Sequence, residues 1–201
     1  MRQSKRDHIL EAAKRIVQRE GVTALTYESV AVEAGLTKGG LIYHFPSRED
    51  LLRGLHEHVA GQWEEHLHQE AGTSATKNHD DGEAAGVRGL EDRRLEDLSA
   101  EERLAAYVRA SQNPDRAELL LMLEAAEDPQ AQAAWDSVES RWGVPQPGAD
   151  ASEDQLRAFI AQLAADGLWF WEANSPHTLD PVARQRLVER IIELGRAGSA
   201  D

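Results

Sequence analysis

The 201-residue chain contains no cysteine. This excludes disulfide scaffolds, thiolate zinc sites and thiol nucleophiles, and it accords with a reducing compartment. No apolar run approaches the ~18 residues that a membrane span needs. The opening residues, Met1-Arg2-Gln3-Ser4-Lys5-Arg6-Asp7, are polar and lead into no signal-type apolar core. A soluble, cytoplasmic protein with no membrane partner is therefore expected. Basic residues are scarce: 22 Lys and Arg stand against 36 Asp and Glu, for a net charge of −14. Spread evenly, that excess would repel nucleic acid and anionic membranes alike. Also missing are a Ser-His-acid arrangement, a paired-carboxylate motif and a phosphate-binding loop, so neither an enzyme nor a cofactor is expected. What is present is a 41 % hydrophobic complement, enough for a real core in one domain or two small ones.

The charge is uneven. Residues 1–58 carry nine bases and eight acids, a balance of +1, which leaves −15 on the remaining 143 residues. Six of the nine bases fall within the first 19 residues. Any part of this chain that touches phosphate lies in its first third; the competing reading is a merely less acidic solvated helix.

The apolar periodicity is helical throughout. Ile9, Leu10, Ala13, Ile16 and Val17 recur at three- and four-residue steps until Gly21 stops the run. Thr26 can cap a helix over Tyr27–Ala34, Gly35 breaks it, and Thr37 can cap a second short helix ending near His44. Ser47 precedes Glu49 and Asp50 at the start of a longer helix carrying Leu52, Leu55, Val59 and Trp63 on one face. Residues 72–89 collect Gly, Thr, Ser, Asn and Asp and read as a loop or flexible insert, extending to about residue 98. A capping box at Ser99–Glu102 opens a helix through Ser111. Asn113-Pro114 opens the next, whose Leu119–Leu123 run is apolar on all sides and expected to be buried. Helices then follow over Pro129–Trp142, from Ser152, and from Asp180-Pro181 to Gly195. There is no period-two alternation long enough for a sheet, so the fold is expected to be all-α.

Two helices of about two turns cannot stand alone and need a third behind them. Ile9, Ile16, Val30, Leu36, Leu41, Phe45 and Leu52 supply that backing. The geometry is that of a helix-turn-helix at about residues 27–45, whose second short helix enters a DNA major groove. Gly39-Gly40 in its first turn costs roughly 1 kcal/mol per residue relative to alanine, a local breach that points to close approach of the backbone to a partner. Thr37, Lys38, Tyr43 and His44 offer groups of the kind that bind phosphate. The alternative is a plain helical hairpin whose glycines only ease a tight turn.

The run Ala34-Gly35-Leu36-Thr37-Lys38-Gly39-Gly40-Leu41-Ile42-Tyr43-His44-Phe45-Pro46-Ser47-Arg48-Glu49-Asp50-Leu51-Leu52 resembles the DNA-binding signature of tetracycline-repressor-type (TetR-type) transcriptional regulators. Ala12-Ala13 and Gly21–Thr26 resemble that family's first helix and its link to the second. The resemblance covers roughly residues 5–60, with a looser match in the C-terminal body. It implies a three-helix DNA-binding head over residues 1–60. It also implies a helical ligand-binding and dimerisation body over residues 61–201, a homodimer formed by the last two helices, a palindromic double-stranded operator and a small-molecule inducer. Thr26 and Thr37 would then cap helices and bond phosphates, and Lys38 would reach a base edge or phosphate. Gly39 would admit the strand, Gly40 would face the bases, and Tyr43, His44 and Arg48 would hold the backbone. The family often has an aromatic at the position of Ile42, which is expected here to pack inward. With little base readout left, DNA shape would carry a substantial share of specificity.

In the body, Tyr107, Met122, Trp135, Phe159 and Trp169 are candidates for an aromatic ligand pocket, with ordinary core packing as the alternative for each. Ile160, Leu163, Ala164, Gly167, Val188, Ile191 and Ile192 are candidates for the dimer interface. His56, His58, His66 and His68 gather on the fourth helix near Glu57, Glu64, Glu65 and Glu70. Two pairs have i,i+4 spacing, but no third metal ligand follows, and a solvated helix face is expected. The function expected is a ligand-released transcriptional repressor; the alternative is a helical small-molecule-binding protein whose head no longer reads DNA.

Overall fold

The computed structural model describes residues 4–73, 94–111 and 115–196. Among these are nine α-helices: α1 (Lys5–Glu20), α2 (Tyr27–Ala34), α3 (Lys38–His44), α4 (Arg48–Ala71), α5 (Ala100–Ala110), α6 (Arg116–Ala125), α7 (Pro129–Trp142), α8 (Glu153–Asn174) and α9 (Pro181–Gly195). Single 3₁₀ turns lie at Val22–Ala24 and Leu95–Asp97. No helix among the described residues is long and apolar enough to cross a membrane.

The helix starts follow the local chemistry. Thr26 accepts from Ser29 N, Thr37 from Gly40 N, Ser99 from Glu102 N, and Asp180 from Val182 N and Ala183 N. Each satisfies amide donors that a first turn leaves without intrahelical partners. Ser4 caps α1 in a capping box with Asp7, a start signal additional to those read from the sequence. Gly35 stops α2 at φ 64°, a left-handed conformation that a side chain disfavours. The proposed start at Asn113-Pro114 lies outside the described residues, as do residues 74–93 of the insert; α6 is capped by Asp115, which accepts from Ala117 N.

The helices form two compact units, each discontinuous in sequence. The first comprises Met1–Trp63, Asn113–Arg141 and Leu168–Thr178; the second comprises Glu64–Gln112, Trp142–Gly167 and Leu179–Asp201. The units thus do not divide at residue 60: α6 and α7 fold with the head. In the first unit, Ile9, Ile16, Val30, Leu41, Phe45 and Leu52 are buried as their periodicity requires. Lys14 of α1 pairs with Asp115 at 2.8 Å, and Gln18 accepts from Ala117 N, tying α1 to the start of α6. In the second unit, α5 packs on α9, Tyr107 donates to Asp166 at 2.7 Å, and Gly195 admits Leu104 and Ala161 at close range.

Two expectations are corrected. Leu123, in the run expected to be buried, is 61 % exposed, because α6 uses only the Ala117, Leu119, Leu121 and Ala125 side for its core. The histidines of α4 are not a solvated face either. His56 is fully buried, donating from Nε2 to Glu124 at 2.8 Å while its Nδ1 accepts from Trp135 Nε1 at 3.1 Å. His68 is buried edge-on against Trp142, and His58 is half-buried against Glu11; only His66 of the four is exposed. In the first unit, His56 and His58 meet Glu124 of α6, Trp135 of α7 and Glu11 of α1, partners that one-helix periodicity does not carry. Among the described residues, no group of three His, Asp or Glu side chains could hold a metal.

Candidate nucleic-acid interface

The head places α3 on a scaffold that fixes both its ends. At its start, Thr37 caps the helix. At its end, Tyr27 on α2 donates its hydroxyl to the carbonyl of Phe45 at 2.7 Å. Burial, with the carboxylates of Asp50 and Glu49 adding to it, raises the Tyr27 phenol above its ordinary range and keeps it a donor. Phe45 is buried, with the Arg6 guanidinium over its ring at 4.5 Å. Gly54 of α4 lies beneath it: a methyl there would stand 2.8 Å from Phe45 Cε1 and 3.2 Å from an Arg6 nitrogen. Gly54→Ala is therefore expected to lower stability by about 1–3 kcal/mol despite alanine's better helix propensity. An unchanged or raised melting temperature would show that Phe45 has room to move.

Behind α2, Arg15 and Arg19 of α1 both bond Glu33, and together they hold its carboxyl below the usual range. His8 Nε2 lies 3.0 Å from the Ala34 carbonyl. Several N-terminal bases that the charge count marks for phosphate thus serve within the head: Lys14, Arg15 and Arg19 are each paired.

The candidate contact residues lie mostly on the outer face. Thr26, Thr37, Lys38, Gly39, Tyr43 and Arg48 are exposed, and Gly40 and His44 are half-buried. Tyr43 is 84 % exposed and stands edge-on to His44, with ring centroids 5.1 Å apart. A methyl at Gly39 would meet nothing within 4 Å, so the residue is not required by packing inside the head. Gly40 is different: its methyl would approach the capping Thr37 hydroxyl at 3.3 Å. Arg48 is partly committed, since its Nε donates to the Leu25 carbonyl at 3.2 Å. The expectation that Ile42 packs inward is not met; it is 42 % exposed. Leu41 and Phe45, four residues apart, occupy the inward side, and Ile42 is turned about 100° from Leu41. Val32 on α2, at 83 % exposure, is a further outward apolar group that its helical pattern does not announce.

The five pocket candidates are divided between the two units. Trp135 is buried, bonded to His56, and Met122 and Trp169 are half-buried in the first; Tyr107 is buried, bonded to Asp166, and Phe159 is half-buried in the second. None lines the groove of about 640 Å³ along α5 and α9, whose walls include Arg109, Arg184, Val188, Ile192 and Arg196. Of the interface candidates, Ile160 and Leu163 are about half exposed and Gly167 is exposed, while Ala164 and Ile191 are half-buried. Val188 and Ile192 are corrected: at 7 % and 8 % exposure they belong to their own chain's core, where α9 packs on α5.

A three-helix head with a capped, outward-facing second short helix defines a helix-turn-helix protein. Residues 9–55 match the family described as "Bacterial regulatory proteins, tetR family", and residues 101–196 match the "Tetracyclin repressor-like, C-terminal domain". The chain belongs to the tetracycline-repressor family. It is 34 % identical over 55 residues to the HTH-type transcriptional regulator AcrR of Shigella flexneri, covering 27 % of this chain and 26 % of that one. It is 34 % identical over 65 residues to the HTH-type transcriptional regulator TtgR of Pseudomonas putida, covering 29 % and 31 %. The chain thus aligns with between a quarter and a third of the length of these curated relatives. Over nearly the full length, its fold is similar to the multidrug binding protein EbrR complexed with imidazole, with TM-score 0.58, 19 % identity and 98 % of each chain covered. It is also similar to a candidate transcriptional regulator from Saccharomonospora viridis in complex with choline, with TM-score 0.61, 21 % identity, and 94 % and 95 % covered.

Proposed function

We propose that the protein is a homodimeric, cytoplasmic transcriptional regulator that binds a palindromic double-stranded operator through its two heads and is released from it by a small organic ligand. The observation that carries this reading is the face of α3: a capped helix whose first turn has open space at Gly39 and whose Tyr43 side chain is almost wholly exposed. A helix that served only the core would gain from alanine at Gly39 and would not hold a tyrosine in water. The head also carries a favourable charge, at +1 against −15 for the rest of the chain. Approach to DNA is therefore head-first. Thr26, Thr37, Lys38, Gly39, Gly40, Tyr43, His44 and Arg48 are the contacts we assign. Imidazole and choline in the similar structures support a small organic ligand, for which Met122, Trp135 and Trp169 of the first unit are the residues we assign.

The test is binding of the DNA that flanks the protein's own gene, followed by fluorescence anisotropy. Lys38→Ala and Tyr43→Ala are each expected to weaken binding without changing the circular dichroism, since both side chains are exposed. Loss of the Lys38 phosphate contact should flatten the dependence of log K on log salt by about one unit. Parental affinity in either variant would remove that residue from the interface. Failure of the parent to bind any flanking duplex would favour the alternative of a ligand-binding protein with an inactive head.

A further inference from the structure

Lys38 is not waiting free at the DNA face. Its Nζ is bonded to Oε1 of Glu28 at 2.5 Å, across the gap between the first turns of α2 and α3. Both side chains are more than half exposed, so the pair stands on the outer surface of the helix-turn-helix rather than inside it. Glu28 lies two residues from the capping Thr26, and Lys38 one residue from the capping Thr37. The residue assigned to reach phosphate is therefore neutralised in the free protein by a carboxylate on the same surface. No packing demand explains the pair, since neither residue contributes to the head's core.

We propose that Glu28 is an electrostatic gate on DNA binding: phosphate must take Lys38 away from it, and the carboxylate is then left facing the duplex. The proposal rests on the DNA-binding reading above. Every binding event, whatever the sequence, meets two opposing effects, namely loss of the ion pair and repulsion between Glu28 and the strand. An operator offsets both through additional base and backbone contacts. Random DNA, held almost entirely by charge, has little else to offset them. Because every duplex meets both effects, Glu28 lowers absolute affinity without touching a base, and random DNA, the weaker binder, is the first to fall below useful occupancy. In the free protein the Lys38 bond holds the Glu28 carboxyl below its ordinary range.

The test is a double-substitution cycle on the full-length protein with parent, Glu28→Gln, Lys38→Ala and the double variant. The probes are a random-sequence duplex and the duplex flanking the protein's own gene, with salt varied between about 50 and 200 mM. Circular dichroism melts check that all four remain folded. Glu28→Gln is expected to tighten binding to the random duplex several-fold, to steepen its salt dependence by about one unit per bound head, and to tighten operator binding by a similar factor. Because the gate acts through Lys38, the gain from Glu28→Gln should be about two- to fivefold larger with Lys38 present than in the Lys38→Ala background. Equal gains in both backgrounds, or a larger gain without Lys38, overturn the gate and leave only a general charge effect. Unchanged affinity and slope in Glu28→Gln, with a parent that binds, also overturn the gate while the DNA-binding reading stands. A parent that binds neither duplex at the lowest salt overturns the DNA-binding reading and the gate with it.

Discussion

Leu163→Asp is expected to turn the proposed dimer into monomers and to reduce binding to the proposed operator by orders of magnitude, although none of the residues assigned to DNA changes. In the second unit, Leu156, Ile160 and Leu163 of α8 are 37 %, 51 % and 53 % exposed, and Leu187 and Leu194 of α9 are each 43 % exposed. Apolar side chains left exposed at i, i+4 and i+7 along α8, and at i and i+7 along α9, mark an interaction surface. The small Ala164 and Gly167 beside them permit a close approach of helices, and a methyl at Gly167 would meet nothing within 4 Å. Pairing these helices with their two-fold mates yields a self-complementary four-helix interface. Two short recognition helices bind a palindrome well only when something fixes their spacing at roughly one turn of DNA, about 34–36 Å, or a multiple of it. Leu163 suits the test better than Ile192. Ile192 is buried in its own chain, so aspartate there would place an unpaired charge in the core and unfold the body. Sedimentation analysis and anisotropy on the same samples decide the matter. A variant that remains dimeric moves the interface elsewhere, and a monomer with parental operator affinity removes the need for spacing.

Glu118→Gln is expected to stabilise the protein at neutral pH, by on the order of 2 kcal/mol, with the gain vanishing in acid. Glu118 lies on α6, and burial is the main cause that raises its carboxyl from the usual 4.5 to about 7; Asp115 adds to the rise and Lys14 opposes it. The folded state therefore holds a proton that the unfolded chain gives up near pH 4.5. Below that value both states are protonated and nothing is lost. As pH climbs through the interval from 4.5 to about 7, the unfolded state is increasingly favoured, and the full penalty is present above 7. Glutamine keeps the shape and removes the ionisation. The comparison of variant with parent isolates this site from carboxylates shifted the other way, such as Glu33. Melting temperatures measured from about pH 4 to 8 should diverge upward for the variant by several degrees. Parallel curves would mean that Glu118 reaches water in solution.

The head was legible in the sequence because its determinants are local. Thr26 and Thr37 cap because a hydroxyl three residues before an amide reaches it, and Gly35 stops α2 because a left-handed residue favours glycine. Tyr43 and Lys38 face outward because Leu41 and Phe45 take the inward positions at helical spacing. The same periodicity failed where more than one partner competes for a helix. On α4 the absence of a third metal ligand leads to the expectation of a solvated histidine face, yet His56 is enclosed by Glu124 and Trp135, which lie 68 and 79 residues away in sequence. On α6 the periodicity buried Leu123 for want of any polar side, although a short helix at the edge of a unit can cover only part of its circumference. Ile42, expected inward where the family often has an aromatic, lies about 100° round α3 from the buried Leu41 and is exposed.

The sequence by itself determined the helices, most of their caps and stops, the backing of the helix-turn-helix and the outward placement of Lys38 and Tyr43 on α3. Each of these depends on residues within a turn or two of one another, where spacing and geometry are equivalent. Only the tertiary structure decided which charges are already spent. Arg15, Arg19 and Lys14 serve the head's own joints, Lys38 is held by Glu28, and Val188 and Ile192 belong to the core rather than to a partner. The physical reason is that ion pairing and burial depend on distances between elements remote in sequence. A charge count assigns each base a sign but not a partner, and an apolar stripe gives a helix a face but not the neighbour that covers it.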